Sequence, residues 1–219
     1  MGTEVRKELE KTLVTELKKI PSDIFETKVG KNKISLLISK EKHGEIYVQH
    51  LSKADGYYAG AELIKCEAMD FCISQSPPYK SQLLNSSFYS KSSLAESNKD
   101  FGDEIGGIIR TPPAADVEAT ANKIQQRLVK FYFSDMENCV TAPPCLIDGI
   151  LKSPENYAFP FLTALFCAQK NNLSLDSDIF QKVLNSKKIF GNKKFDLELA
   201  QKILANPEKI SETPRRLAR

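Results

Sequence analysis

Apolar residues recur at helical spacing along the start of the chain, where Val5, Leu9, Leu13, Leu17 and Ile20 make one stripe and Glu and Lys take the other faces. This predicts an amphipathic helix that stops before Pro21, because a proline disfavours the α conformation in the residue ahead of it. The pattern then shifts to runs rich in β-branched and aromatic residues. "KISLLISKEK" and "EIYVQHLSKA" read as a hairpin turning at His43-Gly44. The run "GAELIKCEAMDFCIS", residues 60–74, reads as a further strand, and "DEIGGIIR" as the last, with Gly106-Gly107 marking a bulge or a close backbone approach. Between them "QSPPYKSQ" breaks the pattern, and "NSSFYSKSSLAESNKD" is a serine-rich polar loop.

From "RTPPAADVEA" onward the spacing is helical. Val117, Ala121, Ile124, Leu128 and Tyr132 share a face, and a shorter helix is expected over "PCLIDGILK". Ser153-Pro154-Glu155 is a helix-entry signal, with Pro160 delaying or kinking the apolar helix that follows and Asn171-Asn172 stopping it. "LDSDIFQKVL" and "FDLELAQKIL", twenty residues apart, predict two similar short helices in parallel roles, and "SETPRRLAR" is a basic terminus. The fold class is therefore α+β: an N-terminal helix with a small antiparallel sheet over residues 1–110, then a helical C-terminal half over 111–219, either as two regions or joined in one compact domain.

At 219 residues the chain can bury a sizeable core, and its net charge of +3 places any electrostatic recognition in local patches. The start lacks an apolar secretory signal, and "YAFPFLTALFCA" is too short to span a bilayer, so a cytoplasmic protein without membrane association is expected. Five cysteines, an odd number, point to reduced thiols.

The cysteines form two pairs of equal spacing, Cys66 with Cys72 and Cys139 with Cys145. Zinc knuckles place their ligands closer, and on a strand Cys66 and Cys72 would stand about 20 Å apart, so no metal is expected. Cys139 and Cys145 flank Pro143-Pro144 and read as two inward-packed thiols at a helix joint. A thiol hydrolase or transferase would use Cys145 or Cys72 with His43 or His50. "FGDEIGGI" lacks the residues of a phosphate loop, Asp103-Glu104 and Asp176 with Asp178 lack a partner pattern, and no cofactor is expected. Lys28, Lys31, Lys33, Lys40 and Lys42, with Phe25 and Tyr47, form a basic stretch that either tracks a phosphate backbone or guards an edge strand.

Residues 115–172 join a long amphipathic helix, an aromatic-acidic break, a short leucine helix and a Pro-Glu-Asn-Tyr entry to an apolar helix ending in Asn-Asn. This succession resembles the helical tail of small bacterial proteins, some of which are immunity proteins of polymorphic or contact-dependent toxin systems. The resemblance carries no chemical motif. It implies a non-enzymatic protein-binding module that occludes a partner toxin. A dedicated chaperone for a secreted effector is the other binding reading, and it implies a homodimer. The expected partner contacts are the serine-rich loop, Lys40, Lys42 and His43 on the hairpin, and Tyr57, Tyr58, Tyr79 and Tyr89 in or beside loops. Each tyrosine serves equally well as a core residue, and both readings stand.

Overall fold

The structure, a computed structural model, describes residues 2–83, 87–103 and 107–204. Glu104, Gly106 and the basic terminus fall outside the described residues, as does part of the serine-rich loop. Helix α1 (Gly2–Leu17) leads into β1 (Glu26–Val29), β2 (Lys33–Ile38), β3 (Glu41–Leu51) and β4 (Gly56–Leu63), then α2 (Glu67–Ser74), β5 (Tyr89–Ser92) and β6 (Ile109–Arg110). The sheet is an antiparallel meander in the order β1-β2-β3-β4-β5, with β6 paired to the start of β4. No described helix is long and apolar enough to cross a membrane.

The β2–β3 hairpin turns at Ser39-Lys40, four residues before the expected His43-Gly44. Both turn residues are left-handed, at φ 52° and 69°, which is the backbone a two-residue turn needs to match strand twist. No Asn-Gly marks the turn in the sequence. His43 is instead the extra residue of a β-bulge, because Leu36 pairs with Gly44 while Leu37 pairs with Lys42. Gly44 lies against the helical half: a Cβ there would stand 2.4 Å from the Glu62 carbonyl and 2.8 Å from Met136.

The expected strand over 60–74 divides. Its first four residues complete β4 and its last eight form α2, with residues 64–66 linking them; in α2 Ala68 and Cys72 are buried one turn apart while Glu67 and Asp70 occupy the first turn. Acidic groups there complement the helix dipole, and Cys66 and Cys72 are consequently separated by about 9 Å of helix rise.

One face of the sheet is dry. Ile34, Leu36, Ile46, Val48, Tyr57, Ala59, Ala61 and Leu63 join Leu9, Leu13 and Leu17 of α1 in a hydrophobic cluster that continues through the helical half. That half begins with α3 (Val117–Leu128), which packs against α1 and runs through a π turn (Val129–Phe133) into α4 (Ser134–Thr141). Ala142 adopts a left-handed conformation, φ 49°, and Pro143-Pro144 prevents continuation. Next come α5 (Leu146–Lys152), a 3-10 turn (Pro154–Asn156), α6 (Pro160–Lys170), α7 (Asp178–Asn185) and α8 (Lys193–Leu204). Pro160 delays the apolar helix as expected and becomes its first residue, where a missing N–H costs nothing. The twenty-residue repeat does yield α7 and α8, yet its aligned acids differ: Asp176 is exposed, whereas Asp196 is fully buried and accepts hydrogen bonds from Tyr79 Oη (2.7 Å) and the Gly191 and Asn192 amides.

Sheet and helices meet at β5. The Phe88 amide donates to the Leu63 carbonyl at 2.7 Å, the Ala158 amide to the Phe88 carbonyl at 2.8 Å, and Tyr89 bridges Tyr157. Tyr89 Oη and Lys91 Nζ both donate to Asp135 Oδ2, at 2.9 and 2.8 Å, and Lys91 Nζ also reaches the Phe131 carbonyl inside the π turn at 2.8 Å. Lys91 is nine-tenths buried, and its ammonium lies 5.0 Å from the Tyr132 ring centre. Burial and the neighbouring Asp135 push the Tyr89 hydroxyl well above its ordinary pKa, so it stays a donor. Replacing Asp135→Ala leaves the ammonium without its counter-charge and the hydroxyl without its acceptor; the expected loss is about 3 kcal/mol. A lowered urea midpoint at unchanged m would show it, with Asp135→Asn losing less because it keeps an acceptor for Tyr89.

Candidate binding face

The pleat that buries Ile46 and Val48 turns Glu45, Tyr47 and Gln49 to the opposite side of β3, and does the same for Tyr58, Gly60 and Glu62 on β4. These residues form the outer face of the sheet. In the register across it, Lys33 is opposite Tyr47, Tyr47 opposite Gly60 and Gly60 opposite Ser92, with Glu45 opposite Glu62 in the next row and Gln49 opposite Tyr58.

The Tyr47 ring lies flat across Gly60, so close that a Cβ at that position would stand 2.2 Å from the ring. Its edge meets Tyr58, centroids 6.3 Å apart and planes at 85°, the geometry that aromatic quadrupoles favour. Tyr58 Oη donates to Gln49 Oε1 at 2.6 Å and so fixes the outer ring. Partial burial pushes the Tyr47 hydroxyl upward in pKa, helped by Tyr58, Glu62 and Glu45. Lys42 holds Glu45 at 2.6 Å and Lys33 stands 3.5 Å away; hydrogen bonding from Lys42 keeps that carboxyl below its usual range. Glu62 has no ion-pair partner among the described residues.

Four of the expected contacts gather at this face or its rim. Tyr58 points outward from its middle, Lys42 stands at its hairpin end, Lys40 is in the turn, and His43 is held at the bulge by a hydrogen bond of 2.9 Å to the Lys65 carbonyl. Beside it Lys65 pairs with Glu41. The other three lie elsewhere, and the serine-rich run expected as a contact loop instead forms β5, with Ser87, Phe88 and Ser93 buried. Tyr57 and Tyr89 are core residues, 2% and 1% exposed, and so cannot anchor a partner. Tyr79 is half-buried between Phe159 and Phe195, bonded to Asp196 and covering Gly191. Tyr47, Gln49 and Glu62 were not among the expected contacts, although the alternation Glu45-Tyr47-Gln49 marks the face in the sequence.

The basic stretch does not assemble as a phosphate track on this face. Phe25 is buried, Lys31 turns to Glu10, and Lys28, Lys33 and Lys42 alternate with Glu26, Glu45 and Glu62.

The thiols divide four to one. Cys66, Cys72, Cys139 and Cys167 are buried, whereas Cys145 is exposed, which corrects the expectation that both thiols of the Cys139–Cys145 joint pack inward. The left-handed Ala142 and the two prolines end α4 and turn Cys145 out at the start of α5. Burial pushes the thiols of Cys66, Cys72 and Cys167 up to about 12 and that of Cys139 well upward, so they remain protonated and unreactive. His43 and His50 are engaged elsewhere: His50 Nε2 stands 3.3 Å from Asp55 Oδ1 and 3.4 Å from Thr111 Oγ1. Among the described residues no group of three or more His, Cys, Asp or Glu could hold a metal ion. Iodoacetamide is expected to label one thiol in the native protein, mapped to Cys145 by peptide mass spectrometry, and all five once the chain is unfolded. Comparison with family models, with curated proteins and with solved structures gave no match.

Proposed function

We propose that this chain is a protein-binding module of the immunity type, which occludes a partner toxin with the outer face of its sheet. The observation that carries the reading is the Tyr47–Tyr58 pair, seated over Gly60 on a face whose underside is locked into the core. Tyrosine supplies large contact area at small entropic cost, and rigid tyrosines at the centre of a face are favoured anchors of protein interfaces. Glu62 beside them offers a charge for a basic side chain of the partner. Lys33, Lys42 and Glu45 form a paired rim that sets register and on-rate more than affinity.

Inhibition by this route requires no reacting group. The face is held in place before the encounter, so little conformational entropy is lost on docking. Burial of the four inner thiols weighs in the same direction, since it leaves the thiol-enzyme reading with Cys145 alone.

The test is capture of the partner by the tagged protein from lysate of its own source cell, with mass spectrometry and light scattering of the complex, followed by assay of the partner's activity. A stoichiometric toxin domain that loses activity on binding is expected. Tyr47→Ala combined with Tyr58→Ala should weaken that complex by roughly 30-fold, about 2 kcal/mol, chiefly through faster dissociation, at unchanged circular dichroism. A captured partner that keeps full activity, or a complex indifferent to both substitutions, would contradict the proposal.

A further inference from the structure

A second surface lies on the opposite side of the N-terminal region. Lys7 and Lys11 on α1 and Lys18 just past its end follow one another at helical spacing, with Val14 and Thr15 between them, and face Val29, Gly30 and Lys31 of the β1–β2 turn across a groove of ≈ 460 Å³. Lys7, Lys11, Thr15 and Lys18 are exposed, and among the described residues none of these three lysines has an ion-pair partner. Placing Lys7 and Lys11 one turn apart costs helix stability through like-charge repulsion.

Glu10 is the carboxylate of this groove, and it is sequestered. It is 6% exposed, bonded to Arg6 at 3.0 Å and to Lys31 at 3.1 Å. Burial acts to raise its pKa, but the hydrogen bonds from Arg6 and Lys31 outweigh that and keep the carboxyl below its usual range. The ion pair with Glu10 holds Lys31 at the rim, opposite Lys7, Lys11 and Lys18.

We propose that this groove docks a short, extended, acidic segment of a partner protein. Charge complementarity sets the sign of the occupant. The dimensions set its size, since Lys7 to Lys18 spans about 16 Å of helix, the length of about five extended residues. Val14 and Val29 are half-buried and offer apolar contact between the charges. A nucleic acid fits less well, because no aromatic side chain lines the groove for base stacking and a carboxylate sits in its wall. A bilayer fits less well because the lining offers only the half-buried Val14 and Val29 as apolar contacts and no aromatic or large apolar side chain to insert. The site is independent of the outer sheet face and stands whether or not that face binds a toxin.

The experiment is fluorescence anisotropy of a labelled hexaglutamate peptide titrated with the full chain, at low and at physiological salt. Wild type should bind, more weakly as salt screens the lysines. Lys7→Glu with Lys11→Glu should reduce affinity about tenfold or more, and Lys18→Glu alone by a few-fold, each with an unchanged melting curve. Lys187→Glu with Lys188→Glu, exposed between α7 and α8 and the same change of charge, should leave it within about twofold. Equal loss from the two double variants would show that only overall charge is being read, and would overturn the site. So would tighter binding of a six-phosphate oligothymidylate or of phosphatidylserine vesicles, or no effect of Lys7→Glu with Lys11→Glu.

Discussion

The fold depends on one short strand that belongs to two layers at once. Residues 88 and 89 complete the sheet beside β4 and, on their other side, bond to the segment leading into α6. A strand edge left open inside a protein would strand its amides without partners; here the edge is closed by Ala158 and Tyr157. The side chains of the same strand then tie Tyr89 and Lys91 to Asp135 in the first turn of α4, just past the π turn. An ammonium buried this deeply is tolerated because a carboxylate, a carbonyl and a ring surround it.

A single layer of helices on one side leaves the other side of the sheet to water. The outer pleat positions are accordingly polar or aromatic, and Tyr47 and Tyr58 are held there by their neighbours. Gly60 is the permissive element: with no Cβ it lets a ring lie on the backbone, so the tyrosine pair is part of the sheet's own construction as well as its most prominent surface feature. The rigidity of the inner layer and the shape of the outer face are thus one property. The α1 groove arises differently, where exposed lysines of a helix with a mainly apolar buried stripe face the β1–β2 turn.

Much of this architecture was legible in the sequence. The stripe from Val5 to Ile20, the helix begun near Val117, the proline-delayed α6 and the paired helices at the end all follow from spacing and from capping chemistry. Periodicity failed at three places. In the serine-rich run β5 alternates Tyr89 and Lys91 with serines over only four residues, too short a pattern to stand out from a polar loop. At 60–74 a strand runs into a helix within one apolar stretch, and an uninterrupted run hides that change of period. At the hairpin, Ser39-Lys40 adopts a left-handed turn without a turn dipeptide, and Gly44, whose missing Cβ allows close packing against Met136, imitates a turn signal. The site was legible only in part. Tyr58 and the hairpin lysines were found as exposed features, but whether a tyrosine faces core or solvent is set by strand register, and Tyr57 and Tyr58 are adjacent residues on opposite faces.

The central claim is that sheet and helical half unfold as one body through the β5 clamp. Native-state hydrogen exchange across a denaturant series tests it most directly, read at the amides of Phe88 and Ala158 and compared with β4 and α6. The account predicts that all of them exchange through global unfolding, with one free energy and one denaturant dependence. If β4 and α6 exchanged through separate openings, with Phe88 and Ala158 released early, the two halves would be independent and the claim would be wrong.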